Sequence, residues 1–488
     1  MAASPASPAP AAAPDEGLDR ELLLVAATVV VGAVMTILDT TVVNVAIRTL
    51  QADFHTSLAT IQWVATGYTL ALATVIPLTG WAAERFGTKR LYLTSIALFL
   101  LGSMLSGIAS SSTELIVFRV LQGLGGGMLM PAGMTILTRA AGPQRVGRVM
   151  AIMGVPMMLG PIAGPILGGW LVDSFSWRWI FFINVPVGIV ALILTTRVLP
   201  RDVPQPGHKL DWMGLGLLSP GLALLIYGLA KTSSEGGFAS AKVLVPMVLG
   251  VIALAAFVAH AMRAGEDALI DLRLFANKTF SAAAGTMILV IIAVFGGMLL
   301  LPLYLQTVRG ESAMDSGLLL APQGVGAMLA MPIAGSLADK TGIGKIVPGG
   351  LVLVGATFLG LTQLEADTSY WLFGVDLFFM GIGMGMTMMP TFSGAMQTLS
   401  QAAIPKASTT LNINQQVGAS IGTAVLSVLL AHQLQGASTP AAQADAYGST
   451  FVWAFVLVAV AFVVALVLLP KRKPAAPADP GPAAHVMA

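Results

Sequence analysis

Cysteine is absent from the 488 residues, which excludes disulfides, thiolate catalysis and thiolate metal sites. Charge is scarce: Asp, Glu, Lys and Arg make up 10% of the chain, where a soluble domain carries about a quarter. So little polar surface cannot cover the core of a water-soluble protein of this length. The net charge of +2 is too small to indicate nucleic acid as a partner. The five histidines (His55, His208, His260, His432 and His485) are scattered without ligand spacing, so no metal site is expected. No GxxxxGK phosphate loop followed by Ser or Thr occurs, which argues against a self-contained ATPase.

What is present is apolar sequence: 56% of the residues are hydrophobic and the mean hydropathy is +0.84. Crossing a bilayer takes roughly 20 apolar residues in a helix. Fourteen stretches qualify: 22–46, 60–79, 91–110, 113–137, 148–172, 179–198, 212–230, 243–262, 281–304, 317–337, 346–364, 371–392, 408–431 and 450–470. Their length and lack of alternation exclude a β-barrel. Basic residues test the count, because they gather on the cytoplasmic side. With both termini inside, nineteen Lys and Arg fall on inner segments and five on outer ones, with Arg119 inside a helix. A missed span would blur that asymmetry. The Ala/Pro-rich ends, 1–20 and 471–488, are expected to be disordered tails. No secretory signal is expected, since the charges before the first apolar run are mixed.

The chain also repeats itself. GWAAERFGTKR begins at Gly80 after the second stretch, and GSLADKTGIGK begins at Gly335 after the tenth, 255 residues later. Gly-rich runs ending at Pro131 and Pro390 repeat at an offset of 259. Duplicated six-helix halves, 21–198 and 279–470, are therefore expected to flank two additional helices in 199–278. Parallel repeats of this kind are a transporter architecture.

The motifs resemble the major facilitator superfamily, and with fourteen helices they resemble its drug:proton antiporter-2 family of EmrB/QacA-type multidrug exporters. LDTTVVNVAI from Leu38, GWAAERFGTKR, RVLQGLGGG from Arg119, GVPMMLGPIAGPILGG from Gly154, WRWIFFINVPVG from Trp177 and LNINQQVGASIG from Leu411 carry that resemblance. Two positions depart from the superfamily loop pattern: Glu84 replaces the usual Asp, and Thr88 stands where a base is common. The resemblance implies an all-α membrane fold of two six-helix bundles plus two extra helices. It implies drug export by alternating access, with the proton gradient as energy source and no cofactor. Its expected partners are protons, the lipid bilayer and amphipathic or cationic small molecules, with no nucleic acid and no obligate protein partner. With Ala/Gly/Pro richness, it places the chain in a bacterial inner membrane. An exporter of one metabolite, lipid or siderophore is the alternative. A membrane aspartyl protease is disfavoured, because neither Asp39 nor Asp376 lies in a GxGD setting.

Charges inside a bilayer are costly, about 2.5–3.5 kcal/mol each at a helix centre, and mark function or a partner. Asp39, Arg119 and Asp376 are the candidates for proton coupling. Asp39 lies about 26 Å along its helix from Leu22 at 1.5 Å per residue, so all three fall in the outer third of the bilayer. The resemblance puts them on cavity-lining helices. A carboxylate that loses water favours its protonated form, and a nearby guanidinium favours the charged form, so a change in their spacing would load or release a proton. The competing reading of Asp39 and Arg119 is a structural pair, and that of Asp376 is a hydrated surface acid.

Gly154, Pro156, Gly160, Pro161, Gly164, Pro165, Gly168 and Gly169 match the antiporter motif. The glycines allow close helix approach and the prolines bend the helix. A tight interface between the two halves is expected, against generic packing. The loop residues Gly80, Glu84, Arg85, Gly87, Lys89 and Arg90, with Asp339 in the repeat, are read as a conformational latch or as simple positive-inside charge. Gln62, Trp63, Tyr68, Gln122, Asn412, Gln415 and Gln416 are candidates for substrate binding or for bonds between helices. The methionines of MGIGMGMTMMP, from Met380, form an adaptable surface or plain core.

Overall fold

Apolar runs of the length above leave the backbone one way to satisfy its polar groups in lipid, which is to bond within helices. In the computed structural model, which describes residues 19–200, 209–232 and 237–470, the regular structure is helical throughout. The first half comprises α1 (Arg20–Asp53), α2 (Leu58–Ile61), α3 (Trp63–Val75), α4 (Leu78–Phe86), α5 (Thr88–Ile108), α6 (Ser112–Ser174), α7 (Trp179–Phe182) and α8 (Asn184–Val198). Next come α9 (Trp212–Lys231) and α10 (Ala241–Ala264). The second half comprises α11 (Lys278–Thr307), α12 (Ala313–Thr341), α13 (Ile343–Leu361), α14 (Tyr370–Gln397), α15 (Ile404–Gln433) and α16 (Pro440–Leu468). The expected tails, beyond Asp19 and Arg20 at the start of α1, lie outside the described residues.

Local chemistry sets several boundaries. Asp19 caps α1 by accepting from the Leu22 N–H at 2.8 Å. Ser111 accepts from the Glu114 N–H while Glu114 accepts from the Ser110 N–H, a reciprocal cap for α6. Outward faces are apolar, as lipid requires. Val456, Val460, Val463 and Val467 form an exposed stripe along α16, and Leu244, Val248, Val251 and Ile252 do the same on α10.

Among the described residues, twelve helices are long and apolar enough to cross a membrane, or thirteen when α3 and α4 count as one span. The expected stretch 60–79 is broken: α3 and α4 meet at 56° around Ile76 and Pro77, because proline removes a helix bond. The expected stretch 148–172 is the second limb of α6, which turns at Gly142 with φ 64° and ψ 170°.

The repeat is visible in the backbone. Gly87 joins α4 to α5 at φ 88°, ψ 146°, and Gly342 joins α12 to α13 at φ 87°, ψ 155°. α9 and α10 form a hairpin, with Gly250 set against the Leu225 backbone. They sit beside α3 and α15: Ser219 donates to the Thr74 carbonyl at 2.6 Å, and Ile413 and Val417 pack on the α9–α10 core.

At the end of the bundle where α1 begins, the two halves share one core. Met134, Leu137 and Met153 of α6 pack in the same cluster as Met331 and Ala334 of α12 and Phe392 of α14. Gly80 of α4 lies against the Lys406 Cα and the Pro405 carbonyl, at the start of α15. At the other end, a separate cluster draws on the first half alone, from Val42 and Leu50 to Trp177 and Phe181.

Candidate functional site

The glycine run after Arg119 brings α6 close to both neighbours. A Cβ on Gly123 would lie 2.5 Å from the Tyr68 carbonyl of α3, and one on Gly102 of α5 would lie 2.6 Å from the Gln122 backbone. This packing locks three helices around one polar cluster. Arg119 Nη1 donates to Asp39 Oδ2 at 2.6 Å and to Gln122 Oε1 at 2.7 Å. Gln122 Nε2 returns to Asp39 Oδ1 at 2.8 Å. Arg119 Nε donates to the Val64 carbonyl at 3.2 Å, and the guanidinium lies 4.1 Å above the Tyr68 ring. The side chains of Asp39 and Arg119 are 0% and 1% exposed. A buried pair survives only when its remaining lone pairs and protons are satisfied, and here Asp39 is held on both oxygens.

Two members of this cluster were not singled out from sequence. Asn184 of α8 donates to Asp39 Oδ1 at 3.2 Å and to Ser103 Oγ at 3.0 Å, and Ser103 donates to the Phe181 carbonyl at 2.9 Å. The available signal was one amide inside the otherwise apolar run WIFFINVPVG.

Asp376 does not join them. Its carboxylate faces α13, with Oδ1 3.1 Å from where Gly360 would carry a Cβ, and Thr357 of α13 donates to the Asp376 carbonyl at 3.3 Å. The expectation that it points into a cavity shared with Asp39 is therefore corrected: helix rotation, which residue depth alone does not reveal, turns it to a neighbour in its own half.

A cavity of about 300 Å³ lies between the halves, bounded by α1, α3, α6, α11, α14 and α15. Asn412, Gln415 and Gln416 line it, as does Met384 of the methionine run. The other binding candidates lie elsewhere. Gln62 and Trp63 are exposed, and Trp63 stacks on Tyr227 of α9 at 5.8 Å. Tyr68 and Gln122 belong to the buried cluster. Tyr68 stands between that cluster and the cavity, its hydroxyl 2.9 Å from the Cβ position of the lining residue Gly126.

The antiporter-motif glycines divide. Gly154 faces the other half, where a Cβ would meet Met331 Sδ at 1.8 Å. Gly160, Gly164 and Gly168 instead receive Ile37, Thr41 and Val42 of α1, and Gly169 has open space. The expected interface between halves is present at Gly154, whereas Gly160, Gly164 and Gly168 form a seat for α1 within the first half, because the 4-residue spacing follows one helix face and that face meets α1. The side chains of Pro156, Pro161 and Pro165 lie outside the described residues.

In the loop, Lys89 holds the end of α8 through the Thr196 and Leu199 carbonyls at 2.8 and 2.5 Å. Gly80 makes the α15 contact described above, Gly87 provides the turn, and Glu84 is half-buried. Arg85 and Arg90 are exposed. The side chain of Asp339 lies outside the described residues.

A sequence model of the Major Facilitator Superfamily matches residues 29–423. The chain is 50% identical over 419 residues to a Multidrug resistance protein B homolog of Mycobacterium tuberculosis, covering 85% of this chain and 77% of that protein. It is 30% identical over 422 residues to the Multidrug export protein EmrB of Escherichia coli, covering 85% and 81%. Its fold matches the crystal structure of the human organic anion transporter MFSD10 (TETRAN) with a TM-score of 0.63 at 15% identity, over 90% of this chain and all of that one.

Proposed function

The chain belongs to the Major Facilitator Superfamily of multi-pass membrane transporters, and from that membership we propose a proton-coupled antiporter that exports amphipathic small molecules, drugs among them. The observation that carries this reading is the buried Asp39–Arg119 pair beside a cavity between the two halves. Separation or hydration of a carboxylate–guanidinium pair changes the affinity of the carboxylate for a proton. Movement of α1 against α6 would alter that spacing, so loading a proton on Asp39 and exposing the cavity to one side become linked steps.

The proposal includes fourteen spans with both termini cytoplasmic, the second limb of α6 supplying the span beyond the thirteen counted above. In that topology the shared core closes the cytoplasmic end of the cavity. The host membrane is taken as the bacterial inner membrane, in keeping with the EmrB relative. The energy source is the proton gradient, with no further cofactor. One charge crossing 100 mV is worth about 2.3 kcal/mol, enough for a substrate gradient on the order of 50-fold per proton.

The test is transport by purified protein in liposomes under an imposed pH gradient. Gradient-dependent substrate movement is expected, lost in Asp39→Asn. No movement with an intact fold overturns the proposal.

A further inference from the structure

Among the described residues, the cavity is bounded without a charged side chain. Its α1 wall carries Thr36, Thr40 and Thr41, and its α15 wall carries Asn412, Gln415 and Gln416. Between them stand apolar groups such as Phe295, Met298 and Met384. The Thr36 and Thr40 hydroxyls spend their protons on their own helix: Thr36 donates to the Gly32 carbonyl at 3.2 Å and Thr40 to the Thr36 carbonyl at 3.0 Å. Their oxygens remain as acceptors. Asn412 is tied to the Ser408 carbonyl at 2.8 Å, whereas the side-chain amides of Gln415 and Gln416 hold no hydrogen bond among the described residues.

The buried ion pair behind the wall does not change this balance. Asp39 and Arg119 sum to zero charge and are closed off from the cavity. Protonation of Asp39, the event the proposed exchange requires, leaves the positive charge of Arg119. Asp376 faces α13. In neither protonation state of Asp39 does the Asp39–Arg119 pair lend the described wall a net negative charge.

We infer that the cavity takes uncharged amphipathic molecules with a hydrogen-bonding edge, the edge read by Gln415 and Gln416, and discriminates against permanent cations. This rests on the reading of the chain as an exporter, and it narrows that reading to one substrate class. An uncharged guest gains the burial of its apolar body in the methionine and phenylalanine wall and bonds to two free amides. A fixed cation gives up its hydration in a site that offers no counter-charge, a penalty that amide oxygens offset only in part.

The test uses the full chain in lipid nanodiscs, with no gradient, and a matched pair of fluorescent dyes: an uncharged aromatic ketone and the same dye bearing a trimethylammonium group. Anisotropy titrations should give at least tenfold tighter binding for the uncharged dye. Gln415→Ala should weaken that binding several-fold, and Gln416→Glu should reverse the preference by placing a carboxylate in the wall. Equal or tighter binding of the cation to the unmodified chain overturns the inference, as does binding indifferent to both substitutions. Because no gradient is applied, a failure of proton coupling shows only in the liposome assay and leaves this result standing.

Discussion

Gly164 and Thr41 lie so close that a Cβ built on the glycine would fall 2.0 Å from the threonine Oγ1 and 2.4 Å from its Cβ. Thr41 also bonds across this seam, donating to the Gly160 carbonyl at 3.3 Å. The second limb of α6 therefore sets the position of α1 two residues beyond Asp39. Gly164→Ala must push the helices apart, at a cost of about 1–3 kcal/mol for overpacking. It is expected to lower the Tm and to reduce pH-driven transport at least tenfold. Gly169→Ala, in open space, is the matched control and should change neither. Equal behaviour of the two variants would refute the role assigned to the seam.

The buried pair makes a different prediction. Arg119→Ala leaves Asp39 as an uncompensated buried carboxylate, which costs about 3–5 kcal/mol. Asp39→Asn with Arg119→Gln removes both charges and should recover much of that stability in thermal unfolding, while transport stays uncoupled from the pH gradient. Recovery of coupling in the double variant would show that the pair only supports the fold.

Much of this was legible from composition and spacing. Helix positions follow from length and hydropathy, because lipid admits no other backbone arrangement for such runs. The repeat emerged from residues whose type is dictated by conformation, such as Gly87 and Gly342. Rotational position was not legible. The side of its helix on which Asp376 lies was not readable, nor was the helix that the face of Gly160, Gly164 and Gly168 meets. A pattern along one helix states which residues share a face, whereas the identity of the facing helix depends on how all the others pack. Asn184 escaped notice for a related reason: its role arises only when α8 brings it beside Asp39.

Acid sensitivity should be measurable at the start of α1. The Leu22 N–H and then the Arg145 guanidinium, which lies 2.9 Å from the carboxylate, hold Asp19 below its ordinary value of 3.8. A depressed folded-state value stabilises the fold above pH of about 4 and loses that contribution as pH falls through the lower folded value. The exposed setting makes the effect small. The Tm of the unmodified chain should therefore fall more steeply between pH 5 and about 2 than that of Asp19→Asn. Parallel curves would remove this cap from the account.

Gly87 and Gly342 share a backbone conformation that side chains strongly disfavour. Gly87→Ala and Gly342→Ala should each destabilise by about 1–3 kcal/mol through backbone strain, whatever space surrounds them. Thermal unfolding checks both. Similar losses are expected, since the two turns differ by 1° in φ and 9° in ψ. A silent substitution at either position would mean that turn relaxes to an ordinary conformation.

Asp376 provides the sharpest contrast with Asp39. Its Oδ2 is buried without a hydrogen-bond partner among the described residues, and its carboxylate faces the bare Gly360 rather than the cavity. An unsatisfied buried oxygen is a cost, so replacing it with an apolar side chain of similar size is neutral or stabilising. Asp376→Leu is therefore expected to keep or raise the Tm and to retain pH-driven transport. Asp376→Asn should likewise remain coupled, unlike Asp39→Asn. Loss of gradient dependence in Asp376→Asn with normal folding would assign the second carboxylate a proton after all, and would require α13 and α14 to open a water path to it during the cycle.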